Sequence, residues 1–231
     1  MSLEPLLILF IAPVITILFW QLGRKYADKD TRFVLQVSFL LGIIAFFLSF
    51  ALISLMEYYG LATTRSLKRT LFYAFVVVGF LEEFSKMVAF MAYAYNRKAF
   101  NSPTKGILFS IAIAMGFIFA KNTFFVFSNG GHHFSELTGF LSVPMHILFA
   151  IIMGFFLSFS RFRFSKIIFP VLGLGVAAFF HGLFQFSIFS EDDTLLTTSI
   201  VITGIMALLL FRQGLKTRKE DFHASDKDYT A

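Results

Sequence analysis

Apolar runs of up to about twenty residues recur along this 231-residue chain, each closed off by a short charged connector. LILFIAPVITILFW, FVLQVSFLLGIIAFFLSFALISL and FPVLGLGVAAFF approach or exceed the roughly 20 residues with which a helix crosses about 30 Å of hydrocarbon. Inside that layer no water is available to the backbone, so a spanning run satisfies its own amides as a helix. The pattern predicts an all-α polytopic transmembrane bundle of about seven helices, near residues 6–22, 33–59, 71–95, 106–127, 140–159, 167–189 and 195–211. Hydrophobic residues are 57% of the chain, charged residues only 15%, and mean hydropathy is +0.77, which argues against a water-soluble fold. Residues 1–211 read as one transmembrane domain. Residues 212–231 form a charged tail too short to bury a core, expected to be disordered.

The net charge of +6 raises nucleic acid as a partner, but the basic residues sit in connectors rather than on one surface, so no nucleic-acid partner is expected. The lipid bilayer is. With no cysteine, disulfides, thiolate zinc sites and cysteine nucleophiles are excluded. Glu4 and the lack of any basic residue before the first apolar run depart from a signal peptide, so that run is expected to remain as a helix. Lysine and arginine distribute unevenly. Arg24, Lys25, Lys29, Arg32, Arg97, Lys98, Lys105, Arg161, Arg163, Lys166 and the tail residues fall on one side, whereas the other side holds Arg65, Lys68 and Arg69. Loops kept in the cytoplasm carry the basic excess, which places the N-terminus outside and the C-terminus inside.

Six ionisable side chains lie well inside the expected helices, away from their ends: Glu82, Glu83, Lys86, Lys121, His146 and His181. Each costs at least about 2.5 kcal/mol to insert, so such groups normally face the bundle interior and find partners. Asn122 follows Lys121, and Gln185 lies one turn after His181 on the same helix face. At about 1.5 Å per residue, Lys121 and His146 lie about 9 Å from the outer end of their helices, His181 about 12 Å, and the glutamates about 17 Å. The third to sixth helices thus place polar groups where one water-accessible cavity can gather them. Adjacent carboxylates in a low dielectric resist joint ionisation, which suits one of them to general-base chemistry. Glu82 and Lys86 share a face at i, i+4, so an ion pair is the simplest reading for one glutamate, leaving the other as the base. Bland readings compete: a structural polar lock, a snorkelling Lys121, and histidines that merely join helices. His132, His133 and Glu136 have a spacing open to a metal but short of a ligand signature. Gly79, Gly116, Gly154, Gly173 and Gly175 are expected to admit close helix approach, and the 35 phenylalanines to fill helix–helix and lipid-facing surface.

These residues resemble a known family, the PrsW-type membrane-embedded peptidases, related to the CAAX-processing endoproteases. Gly79-Phe-Leu-Glu-Glu-Phe-Ser-Lys86 resembles its EExxK motif. Gly116-Phe-Ile-Phe-Ala-Lys-Asn122 resembles a GF followed by a glutamate–asparagine pair. Pro144-Met-His146, with Gly154 beyond it, and His181-Gly-Leu-Phe-Gln185 resemble the third and fourth motifs. The motif-bearing core is 71–189. Two positions depart: Lys121 stands where the family usually has glutamate, and Gln185 where it usually has aspartate or asparagine.

The resemblance implies a hydrolase of the bacterial cytoplasmic membrane that cleaves membrane-anchored proteins. On that reading Glu82 or Glu83 activates water, His146 and His181 orient it or stabilise the oxyanion, Lys86 holds the second carboxylate, and Lys121, Asn122 and Gln185 support the site. If a metal such as zinc is present, Glu82, Glu83, His146 and His181 are its ligands, though an ammonium at position 121 opposes a divalent cation. Two rival readings stay open: an inactive relative (a pseudoenzyme) that binds membrane proteins with Lys121 locking the glutamates, and a small transporter, which lacks the usual repeat symmetry.

Overall fold

The structure, a computed structural model, describes Val14 and residues 28–61, 66–128, 136–162 and 165–217. Apart from Val14, the expected helix at 6–22 lies outside the described residues, as do His132, His133 and the tail beyond 217. The described residues are helical throughout, without strands. α1 spans Lys29–Tyr58, and α2 (Leu67–Phe72) runs through a π-helical stretch, Tyr73–Phe80, into α3 (Leu81–Ala92). After a 3-10 turn at Ala94–Asn96 follow α4 (Pro103–Ser128), α5 (Glu136–Phe162), α6 (Ile168–Phe189) and α7 (Asp193–Lys216). Among the described residues, five helices are long and apolar enough to cross a membrane: α1, α4, α5, α6 and α7. The run 71–95 forms as the α2–π–α3 rod, so the described residues hold the other six of the seven expected helices.

Local chemistry sets the ends. Asp28 caps α1, its carboxylate accepting from Thr31 N–H at 2.6 Å. At the far end Gly60 takes φ +69°, and the amides of Gly60 and Leu61 close back on the carbonyls of Glu57 and Met56, both at 2.9 Å, satisfying carbonyls the helix leaves unpaired. Pro103 opens α4, where its missing N–H costs nothing. The Thr31 amide and side chain, with Lys105 at 3.1 Å, hold the Asp28 carboxyl at about 2. A carboxyl lowered on folding adds stability above its ordinary value of 3.8 and loses it as pH falls toward 2. Asp28→Ala is therefore expected to cost about 1 kcal/mol in detergent unfolding at pH 7, and to cost little below pH 2.

α4 sits at the centre, buried on most sides, with α1 and α5 against it. α6 packs on α5 and on the π stretch, α3 returns to α1, and α7 leans on α5 and α6 from outside. Between lipid-exposed helices the drive is close packing rather than expulsion of water, so small residues mark the tightest contacts. A Cβ on Gly116 would overlap the carbonyl of Phe39, and one on Gly42 the carbonyl of Ile113, so α1 and α4 meet through reciprocal glycines. Gly79 and Gly182 do the same between the π stretch and α6, where a Cβ on Gly79 would lie 2.8 Å from the Gly182 amide. Gly154 packs on α4, and Gly173 faces Phe156. Gly175 departs from expectation: it lies on an exposed face with nothing within 4 Å of an added Cβ.

Candidate active site

Glu82 and Glu83 begin α3 directly after the π stretch, whose wider turn resets the direction in which the following residues point. Being about 100° apart on the helix, the two carboxylates face different neighbours. Glu83 Oε1 accepts from Lys86 Nζ at 2.6 Å and pairs with His181 Nδ1 of α6 at 2.9 Å. Glu82 Oε1 accepts from Lys121 Nζ of α4 at 2.6 Å. Lys86 Nζ also lies 2.7 Å from His146 Nδ1 of α5. Glu82, Glu83, Lys86, His146 and His181 are all at 4% exposure or less. Four helices thus close one cluster.

The expected i, i+4 pair of Glu82 with Lys86 does not form. Position i+3 is an equally near neighbour on a helix, and Lys86 turns that way because His146 and Glu83 lie together there, while Glu82 is drawn to Lys121. Lys121 points inward instead of snorkelling. Rings clamp the histidines: Phe149 stacks on His181 at 4.7 Å, the His146 and His181 rings meet edge to face at 5.0 Å, and Phe117 lies under Lys86 at 4.4 Å.

The hydrogen bonds assign the tautomers. An ammonium only donates, so His146 Nδ1 accepts from Lys86 and its hydrogen sits on Nε2. A carboxylate only accepts, so His181 donates from Nδ1 to Glu83, leaving a lone pair on Nε2. Both Nε2 atoms lie 3.8 Å from Glu82 Oε2, a buried oxygen with no hydrogen-bond partner. One donor, His146 Nε2–H, and two acceptors, Glu82 Oε2 and His181 Nε2, therefore lie close together.

Glu82, Lys121, His146, His181 and Gln185 line a cavity of about 500 Å³. Its wall also includes residues that sequence reasoning passed over, among them Phe46, Ser49, Phe50, Ile53, Ser54 and Glu57 of α1, and Tyr73 and Val78 of the π stretch. The site thus extends beyond the third to sixth helices of the sequence reading. The α1 residues recur at helical spacing as one stripe with hydroxyls at 49 and 54, the one signal that pointed to a wetter face. Asn122 is buried beside the cluster, but its amide has no hydrogen-bond partner and it takes no part in the network.

The sequence profile of PrsW family intramembrane metalloproteases matches residues 31–211. The chain belongs to this family. It is 23% identical to protease PrsW of Clostridioides difficile strain 630 over 96% of this chain and 93% of the relative. It is 28% identical to protease PrsW of Bacillus subtilis strain 168 over 76% of this chain and 79% of the relative. It is 29% identical to protease PrsW of Halalkalibacterium halodurans over 65% and 67%. No solved structure matches. The PrsW family comprises membrane-embedded peptidases, and this member is an integral membrane protein.

Because the family is one of metalloproteases, a divalent cation has to be tested against this geometry. Glu82, His146 and His181 each offer one donor atom, all within 4.8 Å of one another, and Glu83 stands behind His181 instead of joining them. The spacing suits a cation, but the protonation does not. His146 carries its hydrogen on the nitrogen that would have to ligate, and Lys121 already neutralises the carboxylate. Two glutamates and two lysines balance formally without a metal. The site as arranged does not fit one.

Proposed function

We propose that this PrsW-family member hydrolyses peptide bonds of membrane-anchored protein substrates, with Glu82 as the base that activates water. The observation that carries this is the unpartnered Glu82 Oε2 between two imidazole Nε2 atoms at 3.8 Å, in the wall of the cavity. The water oxygen attacks the scissile carbonyl carbon while its proton passes to Glu82 Oε2. His146 Nε2–H and the Lys121 ammonium donate toward the oxyanion. Collapse breaks the C–N bond, and the proton on Glu82 leaves with the amine. Glu83 and Lys86 touch neither water nor substrate; they hold the two imidazoles in opposite tautomers. The basic excess of the other face directs the cavity mouth outward across a bacterial cytoplasmic membrane.

The rival reading of an inactive relative draws on the Lys121–Glu82 pair. Against it, Lys121 meets Glu82 while Glu83 pairs with Lys86, and Glu82 Oε2 stays free beside a cavity. Cleavage of a reconstituted single-span substrate, followed by mass spectrometry, tests the proposal; wild type that cuts none across a proteome-derived set sinks it. Activity is expected to survive dialysis against a chelator, with well under one zinc per chain by elemental analysis. Lys121→Glu, which removes the opposing ammonium but leaves the His146 hydrogen in place, is expected to raise zinc content above that of wild type.

A further inference from the structure

The cavity extends well beyond the reacting atoms. Phe46 contacts Phe117, which lies under Lys86, so it marks the inner end at the level of the cluster. From there the α1 stripe climbs through Phe50 and Ile53 to Glu57, eleven residues on, or about 16 Å along a helix. Opposite it the start of α3 and the π stretch run from Glu82 back to Tyr73, whose hydroxyl lies 3.5 Å from Glu57 Oε1. The cleft is therefore elongated, mostly apolar with the hydroxyls of Ser49 and Ser54 along it, and ends at the helix termini on one face of the bundle.

Its charges are unevenly cancelled. At the inner end Glu82 and Lys121 neutralise each other at 2.6 Å. At the outer end Glu57 is exposed, and among the described residues no lysine or arginine pairs with it; its one polar partner is the neutral Tyr73 hydroxyl. Among the described residues the cleft thus keeps one uncompensated negative charge, at its mouth. An extended peptide advances about 3.3 Å per residue, so the 16 Å between the two ends corresponds to about five residues along α1, and to fewer along the shorter path past Tyr73.

We propose that this cleft is the substrate groove and that Glu57 selects a basic residue about four to five positions from the cleaved bond, the residues between them being apolar. This rests on the peptidase reading and adds a substrate class to it: a span whose outer flank turns from apolar to basic within one extended stretch. Phe46, Phe50 and Ile53 receive the apolar side chains, and Glu57 pairs with the lysine or arginine at the water boundary.

The test uses the full chain in detergent with fluorescein-labelled apolar peptides, alike except for Lys, Ser or Glu placed at successive positions. Binding is read by anisotropy and cleavage by mass spectrometry, for wild type, Glu57→Gln and Glu57→Lys. Wild type should bind and cut the lysine peptide about five-fold better than the glutamate peptide, the ratio expected of one partly shielded ion pair. The preference should vanish in Glu57→Gln, reverse in Glu57→Lys and shrink with added salt. The same peptide ranking in all three proteins would overturn the proposal. A binding preference that follows Glu57 while nothing is cut upholds the groove and counts against the peptidase reading instead.

Discussion

Glu82→Gln is expected to reduce peptide hydrolysis by about 10³-fold or more while leaving the protein folded. Glutamine keeps the volume of the side chain, and its amide oxygen still accepts from Lys121, so the contact at 2.6 Å has a replacement. What it loses is the free carboxylate oxygen that lies between the two Nε2 atoms. An amide cannot take the proton of the attacking water. Glu83→Gln should behave differently in kind. It leaves His181 Nδ1–H only a neutral, weaker acceptor and strips Lys86, more deeply buried than Lys121, of its counter-charge, so a loss of thermal stability should accompany the loss of rate. Single-turnover cleavage beside detergent melting curves separates the two. Equal activity of wild type and Glu82→Gln would remove Glu82 from the mechanism. Because the cluster acts as one unit, Glu82→Gln combined with His181→Ala should be little worse than either alone.

Gly116→Val carries the largest expected effect on the fold. Its Cβ would occupy the position of the Phe39 carbonyl oxygen, and backbone cannot step aside as a side-chain tip can. The reciprocal contact of Gly42 with Ile113 one turn away leaves α1 no direction in which to slide. Separating the two helices would open the packing around Phe46 and Phe117, so a loss of more than about 3 kcal/mol is expected. Denaturant titration in micelles reads this directly. Gly175→Ala is the matched control: it meets nothing, and alanine's better helix propensity should leave stability unchanged or raise it by up to about 1 kcal/mol. Equal melting of the two variants would mean that α1 does not pack on α4 as described.

α1 also shows where reading the chain residue by residue stops. Its lightly buried, phenylalanine-rich sequence looks like lipid-facing filler, and most of its surface is. Only the placement of α4 and the π stretch turns the stripe from Phe46 to Glu57 into a cavity wall. The π stretch has no plain sequence signal, since Tyr73–Phe80 reads as uninterrupted apolar helix; packing of Gly79 on Gly182 accompanies it.

The sequence by itself determined that the chain spans a membrane as helices, because runs of that length and polarity have no other stable state in hydrocarbon. It also determined which ionisable groups must meet, because Glu82, Glu83, Lys86, Lys121, His146 and His181 cannot face lipid unpaired. Tertiary structure alone decided who meets whom. Position i+3 and position i+4 are equivalent neighbours on an isolated helix, so α3 could not choose a glutamate for Lys86. The choice came from His146 on α5 and Lys121 on α4, which drew Lys86 to Glu83 and left one oxygen of Glu82 without a partner.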